Sequence, residues 1–280
     1  SEPTLFRLRV AYPKLGRLKY LGHLELIHTV EQVVRRAKLP YAVTQGFSPH
    51  MRIAYTSALP VGTSSTAEYF DVYLTELIPA EDALARLQAA APVDLRPIDA
   101  AYVELRRPAL TAEINEVRYL LEVFVRPEFD VTDEALSQIV FGWYDQGAQI
   151  PFHRGKKTKT LDVRRLLKAE SHKVLTDGCV RIELCTRCDN EGSLRPEIIV
   201  AAFDQALRGL DPGVDEQIVS TGIQQLTVFD RYNVERISQS ICVDASTIIV
   251  TAVSSRHLRE PSRAFRAIGF VEPVNMRGKR

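Results

Sequence analysis

The chain has 280 residues, 36 Lys or Arg against 35 Asp or Glu, and 45% hydrophobic residues. That is enough apolar content for two middling cores, while a net charge of +1 excludes a uniformly basic nucleic-acid binder and leaves only local clusters to make an electrostatic case. No run of about eighteen apolar residues exists to span a bilayer, and SEPTLFRLRV lacks the apolar block of a secretory signal, so a cytoplasmic location without a membrane partner is expected.

Leu5 to Tyr12 alternates Leu5, Arg7 and Arg9 against Phe6, Leu8 and Val10, the period of a half-buried strand. After a turn at Pro13 to Gly16, Leu24, Ile27, Val30, Val34 and Ala37 recur at helical spacing until Pro40 ends the run. His23 stands at the start of this helix, where unpaired N–H groups and the positive dipole end attract anions. A capping or packed imidazole is the plainer reading of the same position.

Tyr41 to Gly62, YAVTQGFSPHMRIAYTSALPVG, is the densest run of position-specific residues. Gly46 and Ser48-Pro49 shape a bend, and through it run Gln45, His50 and Arg52 before Ile53, Tyr55 and Ser57 resume a strand period. These polar groups are binding candidates, although a connecting loop facing water would look much the same. A strand at Ala67 to Thr75, with one apolar side, a helix at Ala80 to Ala90 and a strand near Leu95 to Leu105 follow. The order strand, helix, strand, strand, helix, strand is that of a split βαβ, ferredoxin-like unit.

From Ala112 the order repeats. A strand at Ile114 to Val125 precedes a helix at Thr132 to Tyr144, with Thr132 as cap. A basic segment, a turn at Thr176-Asp177-Gly178, a strand at Cys179 to Cys185, a helix opened by Pro196 and a strand at Ile223 to Phe229 complete the set. The expected architecture is therefore α+β: two tandem ferredoxin-like (βαββαβ) halves with antiparallel sheets, at 1–108 and 109–230. A C-terminal extension, 231–280, is expected to hold a strand at Thr247 to Val253 and a partly disordered basic tail.

The basic segment, Arg154 to Lys173, carries eight Lys or Arg against Asp162 and Glu170. Lys156, Lys157, Lys159 and Arg164 suit phosphate, since each cation that neutralises a phosphate releases a counterion, and His153 and Tyr144 nearby offer a stacking face. The bland alternative is a solvated charged hairpin. Of the cysteines at 179, 185, 188 and 242, only Cys185 and Cys188 form a C-x-x-C pair, and a structural zinc site needs more. The same count denies the chain the three-cysteine cradle of a radical SAM cluster, so neither metal nor cofactor is expected.

LGHLEL, QGFSPH followed by the LPVG turn, AEYFDVYL, KKTKTLDVRRLL and GSLRPE together resemble the bacterial radical-SAM-linked domain family over residues 5 to about 210. That family is of unknown function and is fused to, or encoded beside, an uncharacterised radical SAM protein. It usually has Pro where Arg165 stands and a cysteine-poor strand end where this chain reads CTRC. The resemblance implies a stand-alone accessory domain with a radical SAM partner. On this basis the expected function is substrate binding, with RNA as the substrate and His23, Gln45, His50, Arg52, Lys156, Lys157, Lys159 and Arg164 as the contacts. The QGFSPHMR bend and the KKTKTLDVRR segment are expected to share one face. Two alternatives stand beside it: a metal-free endoribonuclease using His23 or His50 as general base, and a protein-interaction scaffold for the radical SAM partner.

Overall fold

A computed structural model describes residues 4–189, 192–220, 224–243 and 246–249. The basic tail expected beyond Ser254 lies outside the described residues. The first unit runs β1 (Phe6–Lys14), α1 (His23–Arg36), β2 (Ile53–Tyr55), β3 (Ser64–Leu74), α2 (Ala80–Ala90) and β4 (Asp99–Val103). A helical turn, α3 (Leu110–Glu113), leads into the second unit. That unit contains β5 (Glu116–Val125), α4 (Asp133–Gln146), β6 (Gln149–Arg154), β7 (Lys157–Asp162), α5 (Val163–Leu166), β8 (Leu167–Val174), β9 (Cys179–Asp189), β10 (Gly192–Ser193), α6 (Pro196–Leu207), β11 (Phe229–Val243) and β12 (Ser246–Ile249). The fold is mixed α+β with a mostly antiparallel sheet, and among the described residues no helix is long and apolar enough to cross a membrane.

In the first unit β1 pairs with β3 and β4, and β2 with β3, giving the order β4-β1-β3-β2. In the second, β5 pairs with β9 and β11, and β8 with β9, giving β11-β5-β9-β8. Instead of one sheet per half, a single ten-stranded sheet runs through both, because Glu235 and Arg236 of β11 pair in parallel with Ser64 and Ser65 at the start of β3. β6 and β7 form a separate two-stranded ribbon.

Two cores flank this sheet. Leu8, Val10, Phe70, Val72 and Leu74 pack against Leu26, Val30, Val34 and Leu87 of α1 and α2. Val117, Leu121, Val123, Ile182 and Leu184 pack against α6, in which every residue from Ile198 to Phe203 is buried, so this stretch of the helix is enclosed on all sides. Trp143 of α4 meets Phe203 with ring centroids 4.8 Å apart.

Several expected details shift, each for an identifiable reason. The buried stripe of α1 is Leu26, Val30, Val33, Val34 and Ala37, while Leu24, two residues from Leu26 and so about 200° round the helix, is exposed. Strand β2 is only three residues long and stops before Ser57, to which the alternation had carried it. Arg7 and Arg9, expected on a solvated strand face, are buried, and β3 is likewise covered on both sides. The linker after β4 explains this: Leu110 packs beside Ala11 and Tyr69, and the carbonyls of Arg107 and Pro108 accept from Arg7. The strand expected at Ile223 to Phe229, whose first residue lies outside the described ones, begins at Phe229, because the N–H groups of Thr227, Val228 and Phe229 are taken by the buried Asp204 carboxylate of α6 at 2.8 to 3.1 Å. It then runs on to Val243, well into the expected extension, and β12 ends the described chain.

Candidate functional site

The QGFSPH bend is a closed loop. Val43 and Met51 form an antiparallel bridge, the Thr44 N–H donates to the His50 carbonyl at 2.8 Å, and the Arg52 N–H donates to Ala42. Gly46 has φ 132°, a conformation that L side chains rarely adopt, and this turns Phe47 wholly into solvent. Nδ1 of His50 lies 3.2 Å from the Ser48 carbonyl and 3.0 Å from the Thr44 hydroxyl. A proton on Nδ1 satisfies that carbonyl and leaves Nε2 as the ring's acceptor. The Arg52 guanidinium is stacked 4.3 Å over the Tyr73 ring, which orients it while its donor edges stay in solvent. Gln45 is exposed on the same loop. His23, the first residue of α1, is exposed and meets Tyr55 edge-on, with centroids 6.3 Å apart. The helix N-terminus beside it already holds a carboxylate, because Glu25 accepts from the Gly22 N–H at 2.7 Å.

The basic segment starts in the β6–β7 ribbon and continues through α5 into β8. Directly opposed residues share a face, so the pairs Ile150–Leu161, Phe152–Lys159 and Arg154–Lys157 lie on one side. Ile150 and Leu161 anchor the base of that side in the core, and its tip is cationic, with Lys156 in the turn beside Gly155. Arg154, Lys156, Lys157 and Lys159 are all exposed, and no ion pair among the described residues engages them. The His153 N–H donates to Ile218 and the Ser220 N–H to His153, holding the ribbon to the segment before β11.

Arg164 does not belong with these cations. Beyond the ribbon, Asp162 caps a helical turn, α5, by accepting from the Arg165 N–H. Arg164 points from that turn to the end of α4, donating to the carbonyls of Tyr144 at 2.6 Å and Asp145 at 2.5 Å, and lies against Gly147, whose φ of 63° ends the helix. It closes a helix C-terminus, a role that a guanidinium performs well.

The loop's bonds run to Ala42 and Tyr73 of the first unit, and the ribbon's to Ile218 and Ser220 of the second. No hydrogen bond or ion pair among the described residues joins the two. In the C-x-x-C pair, Cys185 and Cys188 sit three residues apart on the regular strand β9, so their side chains leave opposite faces; Cys188 Sγ donates to the Ile114 carbonyl. The spacing that suggests chelation in a turn cannot bring these two sulfurs together on a strand.

Sequence reasoning passed over two clusters. His172 has Nδ1 2.9 Å from Glu170 and Nε2 3.1 Å from the Ser137 hydroxyl, which resembles a nucleophile, base and orienter. The same Nε2, however, is 2.9 Å from the Asp133 carbonyl, so both ring nitrogens face acceptors. Burial alone would lower the His172 pKa, but the hydrogen bond to Glu170, its charge and Asp133 together raise it. These contacts stabilise the imidazolium, in which both ring N–H groups donate to the acceptors around them. The second cluster is a cleft of about 580 Å³ at the seam between the units, opening beside β11. It is bounded by Lys19 and Tyr20, by the turn Pro60 to Thr63 and by Arg195 at the start of α6. LPVG and GSLRPE, more than a hundred residues apart in the chain, meet here.

Residues 7–196 match the model of a family described as an uncharacterized protein conserved in bacteria (DUF2344), and the chain belongs to that family. A search of curated proteins finds no match. Among solved structures the chain is distantly similar to one in "Crystal Structure of a Cbf5-Nop10-Gar1 Complex", with 8% identity and a TM-score of 0.44 over 83% of this chain and 49% of that one. It thus spans about half the length of that chain.

Proposed function

We propose that this member of the family is an RNA-binding accessory domain that presents a substrate to a radical SAM partner. The observation that carries the reading is the ribbon tip, where Arg154, Lys156, Lys157 and Lys159 are exposed and unengaged by any ion pair among the described residues. Cations held on a firm two-stranded element form a footprint for phosphates, and phosphate contacts position a nucleic acid without reading it. Selective contacts fall to the loop. Phe47 offers a stacking face, His50 an acceptor at Nε2, and Arg52 and Gln45 donors for base edges, the set that single-stranded RNA with splayed bases can use. His23, exposed at the start of α1 in the same unit, is a further candidate contact.

The radical SAM partner follows from the family resemblance and from a division of labour, since this chain has cation-bearing surfaces but no cluster-binding cysteine triad. We read the two units as tandem ferredoxin-like halves, supported by the identical relative strand orders β4-β1-β3-β2 and β11-β5-β9-β8. Fluorescence anisotropy of labelled single-stranded RNA, titrated at several salt concentrations, tests the proposal. Binding should weaken steeply with salt, and replacing Lys156, Lys157 and Lys159 by Ala should weaken it for every sequence. Metal-free RNA cleavage that is lost in His50→Ala would assign the loop to catalysis instead. Salt-independent RNA association, or none, alongside capture of the partner would leave a protein scaffold.

A further inference from the structure

The seam cleft has the makings of a site that the ribbon and loop do not use. It has the volume of a small-molecule pocket and brings together a few polar groups of fixed position. Its floor is set by β11, where Tyr232 is half-buried and Asn233 exposed. On one wall the Lys19 carbonyl accepts from the Gly62 N–H at 2.9 Å, tying the turn that carries Tyr20 to the LPVG turn. Gly62 has φ 89°, a conformation that L side chains rarely adopt, and the turn it forms lies beside the Tyr20 ring. Tyr20 is nonetheless 61% exposed, a large ring held in place and left open, with the Lys19 ammonium 5.2 Å from its centroid. On the other wall Arg195 directs one guanidinium nitrogen to the Ser220 carbonyl at 3.2 Å and to Glu197 at 3.4 Å, just ahead of the N-terminus of the twelve-residue helix α6.

Ser220 supplies an independent sign. It is 3% exposed, lines the cleft, and its hydroxyl is a buried polar group without a hydrogen-bond partner. Such a group costs stability unless something satisfies it. A ligand in the cleft would do so once rotation of the side chain brings the hydroxyl to the cleft surface.

We propose that the seam cleft binds a single nucleotide, with its base against Tyr20, its phosphate between Lys19 and Arg195 at the start of α6, and Ser220 and Asn233 as polar contacts. An aromatic platform beside two cations and a helix N-terminus matches a π-face joined to a phosphate. The proposal rests on the RNA reading in that the nucleotide would be one splayed from a bound strand. A free mononucleotide has the same chemistry.

The test titrates AMP, CMP, GMP and UMP separately into the full chain, up to about 5 mM, by calorimetry. At least one should bind with saturation at one site per chain. Tyr20→Ala should weaken that binding about tenfold or more, the order expected for loss of one stacked base. Lys19→Ala should weaken it less. Ser220→Ala should weaken it while leaving the ligand-free protein as stable as before or more so, because the hydroxyl has no partner to lose. The triple lysine-to-alanine ribbon variant should leave it unchanged. No saturation by any of the four, or binding indifferent to Tyr20→Ala and Ser220→Ala, overturns the proposal. If RNA strands bind and mononucleotides do not, the cleft inference fails and the RNA reading stands. If mononucleotides bind and RNA strands do not, the cleft is a free-nucleotide site and the RNA reading fails.

Discussion

Two sets of strand-borne cations, alike in spacing, meet opposite fates in this molecule. Arg7 and Arg9 stand two residues apart on β1, with Leu8 between them, and Lys157 and Lys159 stand two apart on β7, with Thr158 between them and Arg154 across the turn. The first pair is 2% and 1% exposed and shares one carboxylate: Asp71 accepts from Arg7 at 2.6 and 2.9 Å and from Arg9 at 2.8 and 3.0 Å. Glu113, from the linker turn, accepts from Arg9 at 3.3 Å and from Arg107 at 2.5 Å, so the buried cations are balanced by buried or nearly buried acids. The ribbon cations have no such partners among the described ion pairs. The two-residue spacing of the cations is the same in both places, while the residues between them are apolar on β1 and threonine on β7. What separates structure from recognition is whether the fold delivers a carboxylate to the cation.

The largest test of this difference is Asp71→Ala. Removing the shared acid leaves two guanidiniums in a site closed by the linker, and breaking a buried pair by deleting one partner costs about 3 to 5 kcal/mol. Urea denaturation should show a loss of that order, and Asp71→Asn should recover only part of it, since an amide accepts hydrogen bonds but carries no charge. A loss below about 1 kcal/mol would mean that the arginines escape to water, and that the buried network is weaker than its geometry implies.

Next comes Asp204, which serves backbone donors as well as a cation, since Arg208 also donates to it at 3.3 Å. Asp204→Ala strips the acceptor from the N–H groups of Thr227, Val228 and Phe229, and should cost about 3 kcal/mol, since buried donors without partners cost about 1 to 3 kcal/mol each and some will find water. Hydrogen exchange at these three amides should accelerate first. Uniform exchange across β11 would show instead that the entry of the strand is held by the sheet.

These two carboxylates also mark where the sequence was readable. Local signals placed α2 and α6 at their observed bounds, because Pro79 and Pro196 announce helix starts, and placed α4 through the Thr132 cap, whose hydroxyl accepts from the Ala135 N–H. The polar loop and the basic ribbon were visible as composition. The burial of Arg7 and Arg9 was not, since it depends on a linker and an acid each about 60 to 100 residues away, and a strand with one polar face looks half-solvated until its cover is known. The start of β11 was hidden for the same reason, and so was the Arg164 clamp on α4. The seam cleft was legible only as separate motifs. LPVG and GSLRPE could be recognised, but not that parallel pairing between β3 and β11 places them side by side.

A smaller effect should appear at His172. Its pKa is raised in the folded protein above an unfolded value of about 6.5, so its contribution to stability is fully present below about pH 6.5 and fades as pH rises through the folded-state value. Lys173 and Asp133 face the same site and stay paired across this range, with Asp133 lowered chiefly by the Lys173 hydrogen bond. His172→Gln should therefore narrow its stability deficit relative to the original protein between pH 6 and pH 9, as followed by thermal melts. A deficit independent of pH would mean that the ring acts through packing, and a deficit that grows with pH would restore it as a candidate base.

The smallest expected effect on stability belongs to the ribbon, and it is the most informative. Lys156, Lys157 and Lys159 sit beyond the buried anchors Ile150 and Leu161, so replacing all three by Ala should leave stability within about 0.5 kcal/mol, the ordinary range for surface changes. The same variant should lower the slope of log affinity for single-stranded RNA against log salt by about 0.7 for each phosphate that is no longer neutralised. Phe47→Ala and Arg52→Ala, on the loop, should leave that slope nearly intact and instead compress the differences between RNA sequences, because stacking and base-edge contacts carry selectivity while phosphate contacts carry the salt dependence. The buried arginines should show the reverse pattern, with a large stability loss in Asp71→Ala and no change in salt slope for whatever fraction remains folded. If the lysine variant proves destabilising and RNA binding keeps its salt slope, the ribbon cations are structural after all. The contrast between the two sets of strand-borne cations would then collapse into a single role.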